Sequence, residues 1–252
     1  MNPPFLSIIT VTFNAEATIE RTLKSVEEQT YRGFIEHLII DGASTDRTLS
    51  ICEAYKKRNS VTDVTIVSEP DNGLYDAMNK GLRLAKGEFV CFLNAGDKLH
   101  DPKTIEDVFD GLDNPDGIGV IYGDTHIVDN EGRFLRFRHL NAPETLTWKS
   151  FKHGMLVCHQ SFYARRELCV QFDTRFRFSA DVDWCIKVMK GGCAKNLKNH
   201  NTQMVLTDYL DSGMTTQNHK ASLLERFRVM TRHYGLPSTL WHHFLFLFRQ
   251  KK

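Results

Sequence analysis

Five short polar clusters in this chain carry side chains suited to acid–base or cation chemistry. Thr12 and Asn14 close SIITVTFN, and Asp41 closes FIEHLIID. Glu69 and Asp71 follow VTIVS, and Asn94 and Asp97 stand in LNAGD after the apolar run FVCFL. The fifth cluster, SADVD, sets Asp181 and Asp183 ahead of WCIKVMKGG. A carboxylate can hold a hard divalent cation or take a proton from a hydroxyl. Asp97 is the lone carboxylate of its cluster, so a cation there needs further oxygens from substrate and water. A Cys158-His159 nucleophilic pair is set aside, because adjacent residues on an extended segment point to opposite faces.

The elements around these clusters explain their spacing. Residues 5–13 suit a buried parallel strand. Ile19, Leu23 and Val26 recur at helical spacing, so 15–28 reads as an amphipathic helix with Asn14 able to cap it. A strand over 34–41 leads through GASTD to a second helix with Leu49, Cys52 and Tyr55 inward. A strand over 64–68 leads to a third helix, opened by Asn72-Gly73 and closed by Gly87. Residues 88–93 form the fourth strand. This alternation predicts an α/β fold with a parallel sheet covered by helices. Ligands of such sheets bind beyond the carboxyl ends of the strands, so the first four clusters should gather along one edge. In the third helix Asp76, Asn79, Lys80 and Arg83 fall on one polar face, with Leu74, Ala77, Met78 and Leu82 on the apolar side. Asp76 and Asn79 lie nearer the strand ends than Arg83. The second half is less regular: short strands from 118, a hairpin through RFLRFR, a helix over 178–192, an extended run over 202–210, and helix again from about 217.

Bulk properties exclude several classes. The chain has 252 residues, 41% hydrophobic and 25% charged, with a formal net charge of +1. No field of the whole molecule points to nucleic acid. Six cysteines lack any C-x-x-C pair, which argues against a disulfide framework or zinc ribbon and for free thiols in a reducing compartment. The N-terminal run has no basic region ahead of it and reads as a first strand, not a signal peptide. No apolar stretch approaches the ~20 residues that span a bilayer.

Taken in order, SIITVTFN, IIDGASTDRT and SEPDNGLYDAMNKGLRLAKGEFVCFLNAGD resemble glycosyltransferase family 2. The EPDNGLYDAMNKG and LNAGD segments resemble a bacterial subgroup that builds surface polysaccharides of the colanic-acid type. The resemblance covers roughly residues 5–215. It implies a GT-A fold, a mostly parallel central sheet with helices on both faces, followed here by a C-terminal helical extension. It also implies a nucleotide diphosphate sugar as donor, UDP before GDP, a divalent cation (Mn²⁺ or Mg²⁺), and usually inversion at the anomeric carbon. Residues 1–216 would form the catalytic domain, with a nucleotide-sugar half over 1–97 and an acceptor half over 98–216; residues 217–252 would form the extension.

On this resemblance Asp41 takes the place of the aspartate that accepts a nucleobase N–H, or else it caps the second helix. Thr12 and Asn14 border the base, Asn14 alternatively serving as a cap. Asp71, Asp76, Asn79 and Asn94 fall where ribose or phosphate contacts are made. Aligned on its end, LNAGD puts Asp97 at the metal-binding aspartate or leaves it a loop cap, while Asn94 and Gly96 replace carboxylates common in the family. Asp181 takes the place of the catalytic base, although Ala180 stands where a glutamate is usual; a dipole-favoured acid pair is the alternative. Trp184, Phe178 and Phe176 offer apolar shielding to that base. His159, Gln160 and Asp183 are expected on the acceptor or phosphate side, Asp183 alternatively capping or orienting its helix. DSGMTT (211–216) resembles a loop that closes over the donor, and His219 is a further phosphate or metal candidate. The aromatic, basic tail 236–252 could lie on an anionic membrane, suiting a polyprenyl-diphosphate-linked acceptor at the inner face of the cell membrane, or pack on the domain. A nucleotidyltransferase is disfavoured because TFNAEAT lacks the glycine-rich loop. A non-catalytic sugar-nucleotide binder with a thinned motif is the competing reading.

Overall fold

A computed structural model describes residues 5–59, 62–109, 112, 114–211 and 219–249. Strands β1 (Leu6–Thr12), β2 (Ile35–Asp41), β3 (Asp63–Ser68) and β4 (Phe89–Phe92) alternate with helices α1 (Ile19–Glu27), α2 (Thr48–Arg58) and α3 (Leu74–Leu84). The four strands lie parallel in the order β3-β2-β1-β4. Thr12 is registered against Asp41, and Asp41 against Ser68. The Ala95 N–H donates to the Val11 carbonyl at 3.1 Å, beyond the end of β4. The polar ends of β1, β2 and β4 therefore stand side by side, each about 4.8 Å from the next.

Both sheet faces are covered, which is why β1 and β2 are buried along their whole length. Ile9, Val11, Leu38 and Ile40 pack with Tyr75, Ala77 and Met78 of α3. Ile39, on the opposite face, packs with Ile19 and Leu23 of α1 and Cys52 and Tyr55 of α2.

The second half holds β5 (Lys98–Leu99), α4 (Thr104–Phe109), β6 (Ile118–Val128), β7 (Phe134–Phe137), β8 (Phe162–Arg165), α5 (Ala180–Ala194), β9 (Lys198–Leu210), α6 (His219–Tyr234) and α7 (Leu236–Arg249). The sheet continues through β4-β8-β6-β9-β5, with β7 paired to β6. β8 is antiparallel to both neighbours, whereas β6 and β9 are parallel. α5 packs on the same face as α3, through Ala180, Trp184, Ile186 and Val188.

Several boundaries differ from the sequence reading. α1 begins at Ile19 rather than 15, after a turn closed by the Thr18 N–H on the Ala15 carbonyl at 3.0 Å, and Asn14, with a left-handed backbone (φ 47°), is not its cap. Gly87 is not a helix cap: α3 ends at Leu84. A Cβ at residue 87 would come within 2.5 Å of the Ser7 backbone nitrogen, so glycine lets the chain pass against β1. Asn79 leaves the expected polar face and is buried.

α6 is docked rather than extended. Glu225 accepts the Arg177, Phe178 and Ser179 N–H groups at 2.9, 2.7 and 3.1 Å, and Val229 and Met230 are buried.

Candidate active site

The first group of polar residues surrounds the ends of β1 and β2. Asp41 is fully buried, and its carboxylate accepts the Ser44 N–H at 3.1 Å, the Ser68 hydroxyl at 2.6 Å and the Ser44 hydroxyl. The Asn14 side-chain oxygen accepts the Thr45 N–H at 2.9 Å, and the Asn14 N–H donates to Ser44 Oγ at 2.8 Å. Asn14 thus ties the end of β1 to the β2–α2 loop, and the left-handed backbone makes that reach possible. Asp71 accepts the Gly73 N–H at 2.8 Å. Its other oxygen sits 2.6 Å from where a Cβ on Gly42 would be, so Asp71 packs directly over the backbone that follows β2. Asp76 accepts the Asn72 N–H at 3.0 Å and fixes the turn that opens α3. The Thr12 hydroxyl is buried with no hydrogen-bond partner.

The second group joins residues far apart in sequence. Asp97 is 4% exposed; its oxygens accept the Gln160 amide at 2.8 Å and the Leu210 N–H at 3.0 Å. Burial pushes the Asp97 carboxyl up to about 6, although those two donors and His159 work against the rise. The Asn94 amide nitrogen lies 3.4 Å from His159 Nε2. His159 Nδ1 faces Asp181 at 3.4 Å, and the Tyr75 hydroxyl donates to Asp181 at 3.2 Å. Burial raises the Asp181 carboxyl, but the His159 ring, the Val182 N–H and the Arg226 charge outweigh it and hold it below the usual carboxylate range. A part-buried carboxylate is therefore linked through one imidazole to the loop that carries Asp97.

Two expected members stand apart. Asn79 donates its amide to the Phe172 carbonyl at 3.0 Å and accepts the Phe172 N–H at 2.7 Å. Its amide is committed to the backbone of the 172 segment and reaches no strand end. Asp183 lies one helical step beyond Asp181 but turns to the opposite side. It binds His233 Nε2 at 2.8 Å, anchoring α6, and pairs with Lys187 Nζ at 2.6 Å one turn along α5. Trp184, expected to shield Asp181, stacks on Phe172 within the core. Residues 212–216 of DSGMTT and the side chain of His219 lie outside the described residues.

The structure also adds residues that sequence reasoning passed over. Tyr75 sits on the buried stripe of α3 with Met78 and Leu82, a pattern that signals core, not a carboxylate partner. Glu225 holds the backbone leading into α5, and nothing in the sequence relates it to residues 177–179. Burial first, then the charges of Asp97, Cys158 and Asp181, raise the Tyr209 hydroxyl and keep it neutral.

The donor set at the LNAGD turn fits a hard cation. Asp97 offers a carboxylate, and the Asn94 side-chain oxygen is buried without a partner. An all-oxygen pair of this kind suits Mg²⁺ or Mn²⁺ rather than a softer ion.

A parallel sheet edge continued by antiparallel strands, with helices on both faces, is the GT-A architecture. The chain belongs to glycosyl transferase family 2, whose model matches residues 7–171. It is 31% identical over 238 residues to a PGL/p-HBAD biosynthesis glycosyltransferase of Mycobacterium bovis BCG, covering 92% of this chain and 87% of that protein. Two solved structures share the fold. One is Staphylococcus aureus TarS 1–349 in complex with UDP (20% identity, TM-score 0.66, 92% of this chain and 64% of that one). The other is the mannosyltransferase PcManGT of Pyrobaculum calidifontis with GDP-Man and Mn²⁺ (18% identity, TM-score 0.65, 96% and 74%). The protein is thus a family 2 glycosyltransferase.

Proposed function

We propose that this enzyme is an inverting glycosyltransferase that moves a sugar from a nucleoside diphosphate sugar, UDP-linked, to a hydroxyl of a saccharide or lipid-linked saccharide in surface-polysaccharide assembly. The observation that carries this reading is the Asp181–His159–Asn94 chain of contacts, which sets a proton acceptor beside the cation turn. The donor nucleotide lies across the ends of β1 and β2, bordered by Thr12, Asn14, Asp41, Asp71 and Asp76. Asp41 meets a nucleobase N–H once the Ser44 hydroxyl swings away from it. Asn94 reaches ribose or the cation. UDP bound to TarS and GDP-Man bound to PcManGT, both on the same fold, support a nucleoside diphosphate sugar as donor.

Asp181 takes the proton of the acceptor hydroxyl. The oxygen attacks the anomeric carbon from the face opposite the nucleotide, the bond to the diphosphate oxygen breaks, and the electron pair leaves with the nucleoside diphosphate. His159 and Tyr75 hold Asp181 ionised and aimed, and Gln160 fixes Asp97. Asp97 with Asn94 would hold Mn²⁺ or Mg²⁺, which when bound offsets charge on the diphosphate. No covalent intermediate forms, so a second carboxylate is not needed.

Residues 1–216 act as the catalytic unit, with donor contacts from 1–97 and acceptor contacts from 98–216. The enzyme works on the cytoplasmic side of the membrane. Exposed Leu236, Leu240, Trp241 and Phe244 of α7 support a peripheral contact with the lipid that carries the acceptor. UDP- and GDP-sugars titrated with and without Mn²⁺, followed by assay of nucleoside diphosphate release, test the proposal. Binding without turnover by any acceptor would favour a non-catalytic binder.

A further inference from the structure

A second constellation lies on the β5–β9–β6 side of the sheet and takes no part in the proposed transfer. His126 of β6 and Lys98 of β5 are both registered against Asp208 of β9, so the three side chains share a face. His100, two residues past Lys98, joins them. Asp208 Oδ1 accepts from His100 Nδ1 at 2.7 Å and lies 3.8 Å from His126 Nδ1. The ligand atoms of His100, His126 and Asp208 all fall within 4.8 Å of one another. Lys98 Nζ binds the other oxygen, Oδ2, at 3.0 Å. One carboxylate oxygen is thus compensated by the ammonium, and the other faces two imidazoles. The rings meet edge to face, with centroids 4.9 Å apart, and Phe134 and Phe137 pack against His126.

We infer that His100, His126 and Asp208 form a Zn²⁺ site, separate from the oxygen-only turn at Asp97. Two imidazole nitrogens and one carboxylate oxygen are a zinc donor set, with water completing four-coordination. Mg²⁺ prefers all-oxygen ligands, so the two positions sort different ions. On binding, His100 Nδ1 releases its proton to solvent, and the His100–Asp208 hydrogen bond is replaced by bonds from both groups to the metal. The ion ties β5, β6 and β9 together, and β9 also carries the Leu210 N–H that grips Asp97.

Chelator-treated, tag-free protein titrated with Co²⁺ as a spectroscopic stand-in should bind one equivalent. It should develop the visible bands of a four-coordinate nitrogen–oxygen site, with no thiolate charge-transfer band, and Zn²⁺ should displace the Co²⁺ and raise the melting temperature. His100→Gln, at a part-exposed position, and Asp208→Asn should each weaken binding at least tenfold. Asp97→Ala should leave the Co²⁺ spectrum unchanged. Absence of saturable binding, a thiolate band pointing to the cysteines, or unchanged affinity in His100→Gln and Asp208→Asn would overturn the assignment.

Discussion

At the scale of single residues the site is a set of carboxylates with different surroundings and therefore different tasks. Asp97 is buried, with the Gln160 amide and the Leu210 N–H as its hydrogen-bond donors, and its carboxyl is pushed up to about 6. Asp181 keeps a hydroxyl, an imidazole and a helix N–H, and stays ionised. Asp181→Asn should therefore lower transfer by a factor on the order of 10²–10⁴, the usual contribution of a general base, while donor affinity changes less than about threefold. Steady-state rates beside calorimetric donor titrations check this, and equal loss of both would remove Asp181 from the role of base. Asp97→Ala should weaken Mn²⁺-dependent donor binding at least tenfold; an unchanged Mn²⁺ response would place the cation elsewhere. Asn79→Ala should act differently from both. It strips two buried hydrogen bonds from the Phe172 backbone and should cost about 2–4 kcal/mol in urea unfolding, with donor affinity retained.

At the scale of elements the docking of α6 sets how α5 presents Asp181, the proposed base. Glu225 caps the backbone ahead of α5, and Asp183 holds α6 through His233 and Arg232 while pairing with Lys187 along its own helix. Burial raises the Asp183 carboxyl, but His233 and Lys187 more than offset it, so its folded value lies below the unfolded one. A depressed carboxylate stabilises the fold above its unfolded value near ~4 and loses that contribution as pH falls through the folded value. Asp183→Asn should cost about 3 kcal/mol at pH 7 and flatten the acid limb of the stability profile. Urea melts across the acid range read this, and an unchanged limb would mean that Asp183 does not anchor α6. The helix α5 was legible from its polar start and glycine stop. The partner that fixes it was not, because Glu225 acts on residues more than forty positions earlier.

At the scale of the whole molecule one sheet runs through both halves, joined where β8 lies antiparallel to β4. That junction brings His159 and Gln160 against the end of β4 and so completes the site from two separate stretches of chain. No helix among the described residues is long and apolar enough to cross a membrane. α7 nevertheless exposes Trp241 at 60% and Phe244 at 51%, more apolar surface than a free helix face needs. Truncation at Pro237 should leave a soluble, folded enzyme that no longer floats with anionic vesicles. Loss of soluble protein instead would make α7 part of the packed fold.

The sequence by itself determined the parallel half. Alternating apolar runs and amphipathic helices force β1 to β4 into one sheet, and each strand ends in its own polar cluster, so Asp41, Asn14, Asp71, Asn94 and Asp97 are set by local pattern. Only the tertiary structure decided which of two neighbouring acids, Asp181 or Asp183, faces that edge. It also turned Asn79 inward and gave Asp181 its partners His159 and Tyr75. Periodicity fixes which face of an element a side chain occupies, but the contacts of that face depend on segments brought together from elsewhere in the chain.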